Sequence, residues 1–270
     1  LLSIGEDALP SYLTTLHLPA SLTSLEDNWL FSLEEITVAE GSTSFAVADD
    51  VLFSKDMTKL VKMPSQLAYN GDYFEYIVPK TVKEICDGAF ERCDFIDSLV
   101  LPDGLEVIGN RAVSCYGTGV PYGPETIIIP SSVKSIGSEA FIGVRLVVFT
   151  GNAPVIADDA FSSCTKLAYY PSNNATWTSD KRQNYGGDLE WISTNGGVPV
   201  SGTMTESINW DFDEATGTLT ISGTGIMPGY SYIYLHSDFI PPWHHLANKI
   251  KTLVIEDGIT EIGYGLFKNY

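Results

Sequence analysis

At 270 residues and 44% hydrophobic composition the chain is long enough to bury a large core, and 34 acidic against 15 basic residues leave a net charge of −19. So acidic a surface repels phosphate backbones and anionic lipid, which argues against nucleic acid and membrane surfaces as partners. No apolar run approaches the roughly 18–20 residues that span a bilayer, and four cysteines are too few for a disulfide scaffold.

In chain order, Leu1…Ile4-Gly5…Ala8-Leu9 opens a phrase of the form V-x-x-I-G-x-x-A-F. It recurs as Val82…Ile85-Cys86…Ala89-Phe90, Leu105…Ile108-Gly109…Ala112-Val113, Val133…Ile136-Gly137…Ala140-Phe141 and Ala153…Ile156-Ala157…Ala160-Phe161. The starts at 82, 105, 133 and 153 lie 23, 28 and 20 residues apart. That period predicts a stacked solenoid, in which one unit cannot bury its apolar face alone and its neighbours cover it.

Between phrases stand short strands such as Leu16-His17-Leu18-Pro19, Leu99-Val100-Leu101-Pro102 and Ile127-Ile128-Ile129-Pro130. Alternation sends the first and third residues inward and the second outward, and the proline, lacking an N–H, ends the ladder. The expectation is a continuous parallel sheet along one face. Opposite it, the recurrent glycine takes a backbone turn and Ala-Phe forms a short helical or 3-10 turn. Cys93 and Cys164 each fall 11 residues after a repeat start and Cys115 falls 10 after its own, predicting a small buried slot in successive coils. A Cys93–Cys115 bridge stays open at a strand spacing of about 5 Å.

About residues 41–75 interrupt the array, with alternating runs around Ser54-Lys-Asp-Met-Thr58 that predict a β-hairpin inserted at an edge. Residues of about 165–193, including Tyr170, Trp177, Tyr185 and Trp191, read as an aromatic lid on the last coil. The array with its insertion and lid thus occupies 1–193, and 194–201 form a Gly- and Pro-containing linker. From 202 a second hairpin, Ile208–Phe212 with Leu219–Ile221, precedes Leu253-Val-Ile255 and Ile259…Ile262-Gly263…Leu266-Phe267, where the phrase restarts. Residues 202–270 therefore read as the N-terminal cap and first repeat of a second, truncated array. A chain that begins and ends inside repeats reads as a fragment of a longer protein.

With these residues in view, the chain resembles the BspA-like, type-5 leucine-rich repeat proteins of bacterial surfaces, over roughly 1–170 and 250–270. The run Ala160-Phe161-Ser-Ser-Cys164…Tyr169-Tyr170-Pro171…Trp177…Tyr185-Gly186-Gly187 is similar to the terminal cap of gut-bacterial members. Gly217-Thr-Leu-Thr-Ile-Ser-Gly223-Thr-Gly225 with Pro242-Trp243 is similar to their N-terminal cap. The fold this implies is a leucine-rich repeat solenoid: short parallel strands, short helical or 3-10 turns, inserted hairpins and capping segments. The resemblance further implies a secreted or cell-wall-attached, non-enzymatic protein that binds molecules of a host or neighbouring cell, with no family catalytic set. Trp29 and Leu30 in place of Ala-Phe, Cys86 in place of glycine and Val113 in place of Phe depart from the pattern.

The candidate partner-binding surface is the outward row of the expected concave sheet: His17, Thr37, Ile77, Val100, Ile128, Val148 and Tyr169. Two residues earlier lie Thr15, Glu35, Glu75, Ser98, Thr126 and Leu146. Seven strands make a face roughly 29 Å long, with an apolar stripe from Ile77 to Val148 of the kind that marks interaction sites. The plainer alternatives are β-propensity alone or a stripe covered by a neighbouring segment or protomer. His244-His245 lack further metal ligands at a usable spacing, Asp211–Glu214 lacks the later glutamate of a calcium loop, and Gly223-Thr-Gly225 lacks the third glycine of a dinucleotide fingerprint. Neither a catalytic set, a cofactor nor a metal is expected. The expected function is recognition or adhesion at an extracellular bacterial surface, on a protein or glycoprotein. The alternatives are a spacer that projects another domain, or a targeting module of a larger extracellular enzyme.

Overall fold

The computed structural model describes residues 1–26, 30–67, 74–115, 123–229, 241–264 and 266–267; Trp29, Tyr73 and Tyr270 lie outside the described residues. It is a β-solenoid of stacked coils with little helix. Its front strands are Thr15–Leu18, Glu35–Val38, Phe74–Ile77, Ile96–Val100, Thr126–Ile129, Leu146–Phe149, Leu167–Pro171 and Glu190–Thr194, and each paired neighbour runs parallel. The alternation is as the sequence predicts: Leu16 and Leu18 are buried and His17 exposed, and Ile127 and Ile129 are buried while Ile128 is half-buried. The front sheet is not continuous, however. Its hydrogen-bonded groups are Thr15–Leu18 with Glu35–Val38, Phe74–Ile77 with Ile96–Val100, and the last four strands together.

The other side carries a second ladder of two-residue strands, Glu84–Ile85, Val107–Ile108, Ser135–Ile136 and Val155–Ile156, in parallel register. Here the glycine does a different job from the one its turn context suggests. A Cβ on Gly109 would lie 2.7 Å from Asp87 N and 2.8 Å from Cys86 C, and one on Gly137 would lie 2.7 Å from Asn110 N. Glycine is needed because consecutive coils touch backbone to backbone. Cys86 takes the same place over the strand carrying Leu60, whose carbonyl accepts its N–H at 2.9 Å. The left-handed residue is instead the one before the alanine: Asp7, Gly88, Arg111 and Glu139 have φ of 52, 59, 50 and 52°.

The Ala-Phe segment forms turns with i→i−3 bonds, as at Ala89 N to Cys86 O (3.2 Å) and Glu91 N to Gly88 O (3.1 Å), and they do not extend into a helix. Its N–H groups are used between coils: Phe90 N donates to Ala112 O at 2.8 Å, Val113 N to Ala140 O at 2.8 Å and Phe141 N to Ala160 O at 2.9 Å. A helix would draw those donors into its own i→i−4 bonds. Ala89, Ala112, Ala140 and Ala160 are fully buried, and Phe141 stacks on Phe161 with centroids 5.7 Å apart. A polar strip joins the same turns, with Asp87 Oδ1 accepting from Asn110 N at 2.7 Å and Asn110 Oδ1 accepting from Ser138 N at 2.9 Å. All four cysteines are free; Cys93 and Cys115 are buried but Cys164 is exposed, so the predicted slot does not extend to the last coil.

The insertion is more than an edge hairpin. Phe45–Ala48, Val51–Ser54 and Lys59–Lys62 form an antiparallel meander whose last strand pairs in parallel with Glu84–Ile85, so it becomes part of the back sheet. Asp49 and Asp50, with φ of 47 and 62°, make the positive-φ pair of a tight hairpin turn. At the next turn Asp56 accepts from Ser54 Oγ, Thr58 Oγ1 and Thr58 N at 2.7, 2.7 and 3.1 Å. Because this meander sends its strands to the back, no described front strand bonds Glu35–Val38 to Phe74–Ile77. At the other end Trp177, Trp191, Tyr170 and Phe149 cluster over the last coil, with ring centroids 4.7–6.1 Å apart.

After residue 200, Ser201–Thr205, Ile208–Asp213 and Thr218–Gly223 form an antiparallel sheet, and Thr252–Ile255 adds in parallel. Trp210, Phe212, Leu219, Ile221, Met227, Trp243, Leu246 and Leu266 form its core. Asp213 closes the hairpin by accepting from Ala215 N and Thr216 Oγ1 at 2.9 and 2.8 Å, which leaves the acidic run a turn.

Candidate functional site

The outward row is a real alignment. His17 stands opposite Thr37, Ile77 opposite Val100, and Ile128, Val148, Tyr169 and Ile192 follow one another across four strands. Its exposure differs sharply from one end to the other. Ile77 is 63% and Val100 40% exposed, whereas Val148 is 0% and Tyr169 4% exposed. His17 is exposed and hydrogen-bonded through Nδ1 to Thr37 Oγ1, Thr37 and Ile128 are half-buried, and Ser98 Oγ donates to Glu75 Oε2 at 3.1 Å. Val148 and Tyr169 are therefore not part of an open surface, and neither is Leu146 beside them.

What covers them is the module after residue 200. Its 3-10 turn, His244–Lys249, lies against the strand Thr126–Ile129. Tyr169 Oη donates to Pro242 O at 3.3 Å, and the Tyr169 and His245 rings lie 6.0 Å apart. His244 Nε2 is 2.7 Å from Glu125 Oε2, and Glu125 Oε1 is 3.2 Å from Arg145 Nη1. Thr126 Oγ1 and His244 Nδ1 are 3.0 Å apart, so both imidazole nitrogens of His244 are engaged. Burial pushes the Glu125 carboxyl up, but the His244 hydrogen bond and the His244 and Arg145 charges outweigh it and hold the group below its usual range. Burial also raises the Tyr169 phenol, and lowers His245 to about 4 against the opposing pull of the Pro199 carbonyl.

The sequence reading set His244-His245 aside as a poor metal pair and missed this role. Two signals pointed to it: Trp243-His-His follows Pro241-Pro242 outside any repeat position, and Leu146 replaces the polar residue of the flanking row where the cover lies. Elsewhere, burial pushes the thiols of Cys86 and Cys93 up to about 12, so neither is a thiolate near neutrality.

The region containing these coils, residues 73–169, matches the model of the BspA type leucine rich repeat region, in six copies. Residues 73–169 are a BspA-type leucine-rich repeat region. Two solved structures share its fold. A leucine rich cell surface protein from Faecalibacterium prausnitzii is 24% identical with a TM-score of 0.54, over 72% of this chain and 52% of that one. A leucine-rich repeat protein from Eubacterium ventriosum is 18% identical with a TM-score of 0.50, also over 72% and 52%. The chain spans about half the length of either. No curated protein matches it. Among the described residues no helix is long and apolar enough to cross a membrane.

Proposed function

We propose that this chain is a non-enzymatic recognition module displayed outside a bacterial cell, binding a protein or glycoprotein through the open part of its front sheet. The supporting observation is the in-register pair Ile77 and Val100, exposed by 63 and 40% beside Glu75, Ser98 and the His17–Thr37 pair. Branched apolar side chains held out on a rigid sheet and flanked by polar groups form a desolvatable centre with a polar rim. The family's surface-protein relatives are consistent with this reading.

The test is a screen of the 270-residue chain against extracellular-matrix proteins, mucins and a glycan array, with Ile77→Glu/Val100→Glu beside it. Binding that the double variant loses while remaining folded supports the reading; binding that it keeps removes the open row as the site. A second reading, a spacer, draws on the docking of the following module, which fixes one unit against the next; it predicts silence across the panel for both proteins.

A further inference from the structure

The contact between the two modules carries two histidines with opposite provision for charge. His244 is served in either protonation state: Nε2 faces Glu125 at 2.7 Å and Nδ1 faces the Thr126 hydroxyl at 3.0 Å. His245 is served in one state. Its Nε2 donates to Pro199 O at 2.6 Å. Its Nδ1 is shut off from solvent and, among the described residues, makes no close hydrogen bond; the Pro242 carbonyl, which accepts from Tyr169, lies near enough to favour a proton on the ring. The residue as a whole is half-buried. Tyr169 and Trp210 flank it at 6.0 and 6.1 Å between centroids.

We infer that the junction is an acid-released latch, in which protonation of His245 undocks the module after residue 200 and uncovers Ile128, Val148 and Tyr169 on the front sheet. The titratable and charged groups facing the pair are Glu125, Arg145 and Tyr169 from the front strands and Lys249 from the turn itself. The groups that act on His245 are the His244 and Lys249 charges, which disfavour its protonation, and the Pro199 and Pro242 carbonyls, which favour it; no carboxylate is among them. The His244–Glu125 pair works in the opposite direction, since charging His244 strengthens it. That gain is limited because Glu125 already has a cationic partner in Arg145 at 3.2 Å. Burying the charged ring is the larger effect, and it outweighs the pull of the Pro199 and Pro242 carbonyls. A histidine titrating near 6.5 when released and about 4 when docked favours release as pH falls between those values, by about 30-fold at pH 5 relative to pH 7.5.

The inference does not depend on any partner and is tested without one. In the full chain, Val148→Cys places a thiol under the latch, and the exposed Cys164 serves as internal reference. The ratio of their rates with dithiodipyridine, resolved by peptide mass analysis, reads the opening equilibrium at each pH; pH 5 stays above the isoelectric point of about 4.3. The expected result is a ratio that rises about 30-fold from pH 7.5 to 5, with unchanged circular dichroism. The rise disappears in His245→Gln and His245→Phe and persists in His244→Gln. A flat ratio in the Val148→Cys chain, a rise that survives both His245 variants, loss of the rise in His244→Gln, or a rise that accompanies loss of secondary structure each overturns it. Should the His245 variants already be open at pH 7.5, the His244→Gln titration alone decides.

Discussion

The two ends of one sheet face have the same backbone and opposite fates. From Thr15 to Val100 the outward row is open and mixes His17, Thr37, Ile77 and Val100; from Thr126 to Thr194 it turns apolar and is largely covered, with Val148 buried in a cluster with Leu146 and Tyr169, and Tyr169 held against Pro242 and His245. The parallel ladder makes every outward position a candidate surface, and which ones remain surface is settled by a segment nearly a hundred residues downstream. The closed end is therefore a tertiary contact and the open end a face awaiting one.

The largest effect that could break this comparison comes from placing one charge at each end. Val148→Glu puts an uncompensated carboxylate beneath the docked turn, with an expected loss of about 3 kcal/mol or more in chemical denaturation or release of the module. Val100→Glu, on the open side, is expected to stay within about 0.5 kcal/mol of the parent. Next, Glu125→Gln removes the carboxylate shared by His244 and Arg145 and is expected to cost about 1–3 kcal/mol of docking, read as higher reactivity at Val148→Cys at every pH. A third pair tests the coil spacing. Gly109→Ala, whose new Cβ meets Asp87 and Cys86 atoms at 2.4–2.8 Å, is expected to cost about 1–3 kcal/mol in thermal unfolding. Gly5→Ala, with nothing within 4 Å, is expected to be neutral.

The smallest effect lies at the meander turn. Hydrogen bonds from Ser54 and Thr58 hold the Asp56 carboxyl down to about 2. A depressed carboxyl stabilises the fold above its unfolded value near 3.8 and ceases to as pH falls toward 2. Asp56→Asn is expected to remove that part of the acid sensitivity, seen as a shallower loss of melting temperature between pH 4 and pH 2 than in the parent.

Much of the array could be read from the residues, because its rules are local. Period-two alternation puts Leu16, Leu18, Ile127 and Ile129 inside, and the repeat spacing brings Ile77 and Val100 into register. The turns were harder. The sequence shows a glycine and an alanine at fixed places, but whether Ala-Phe donates its N–H groups within a helix or to the next coil depends on the separation between coils, which no single repeat encodes. The meander was legible as alternating runs, yet its pairing through Leu60 with Ile85 depends on that same stacking. The covered face was least legible. Burial of Val148 needs Trp243-His244-His245 brought back across the intervening cap, and only the apolar drift at Leu146 hinted at it.

The Ala-Phe turns, the back ladder and, within each group of paired front strands, the front ladder join successive coils by up to three strips of backbone hydrogen bonds directed from coil to coil. A chain held at both ends and pulled along that axis would not yield all at once. Each coil can peel from its neighbour while those behind stay zipped, releasing about 23 residues, or roughly 80 Å of contour at full extension, per step. Under load, such an array extends in increments and dissipates energy as it lengthens, behaving as a mechanical fuse.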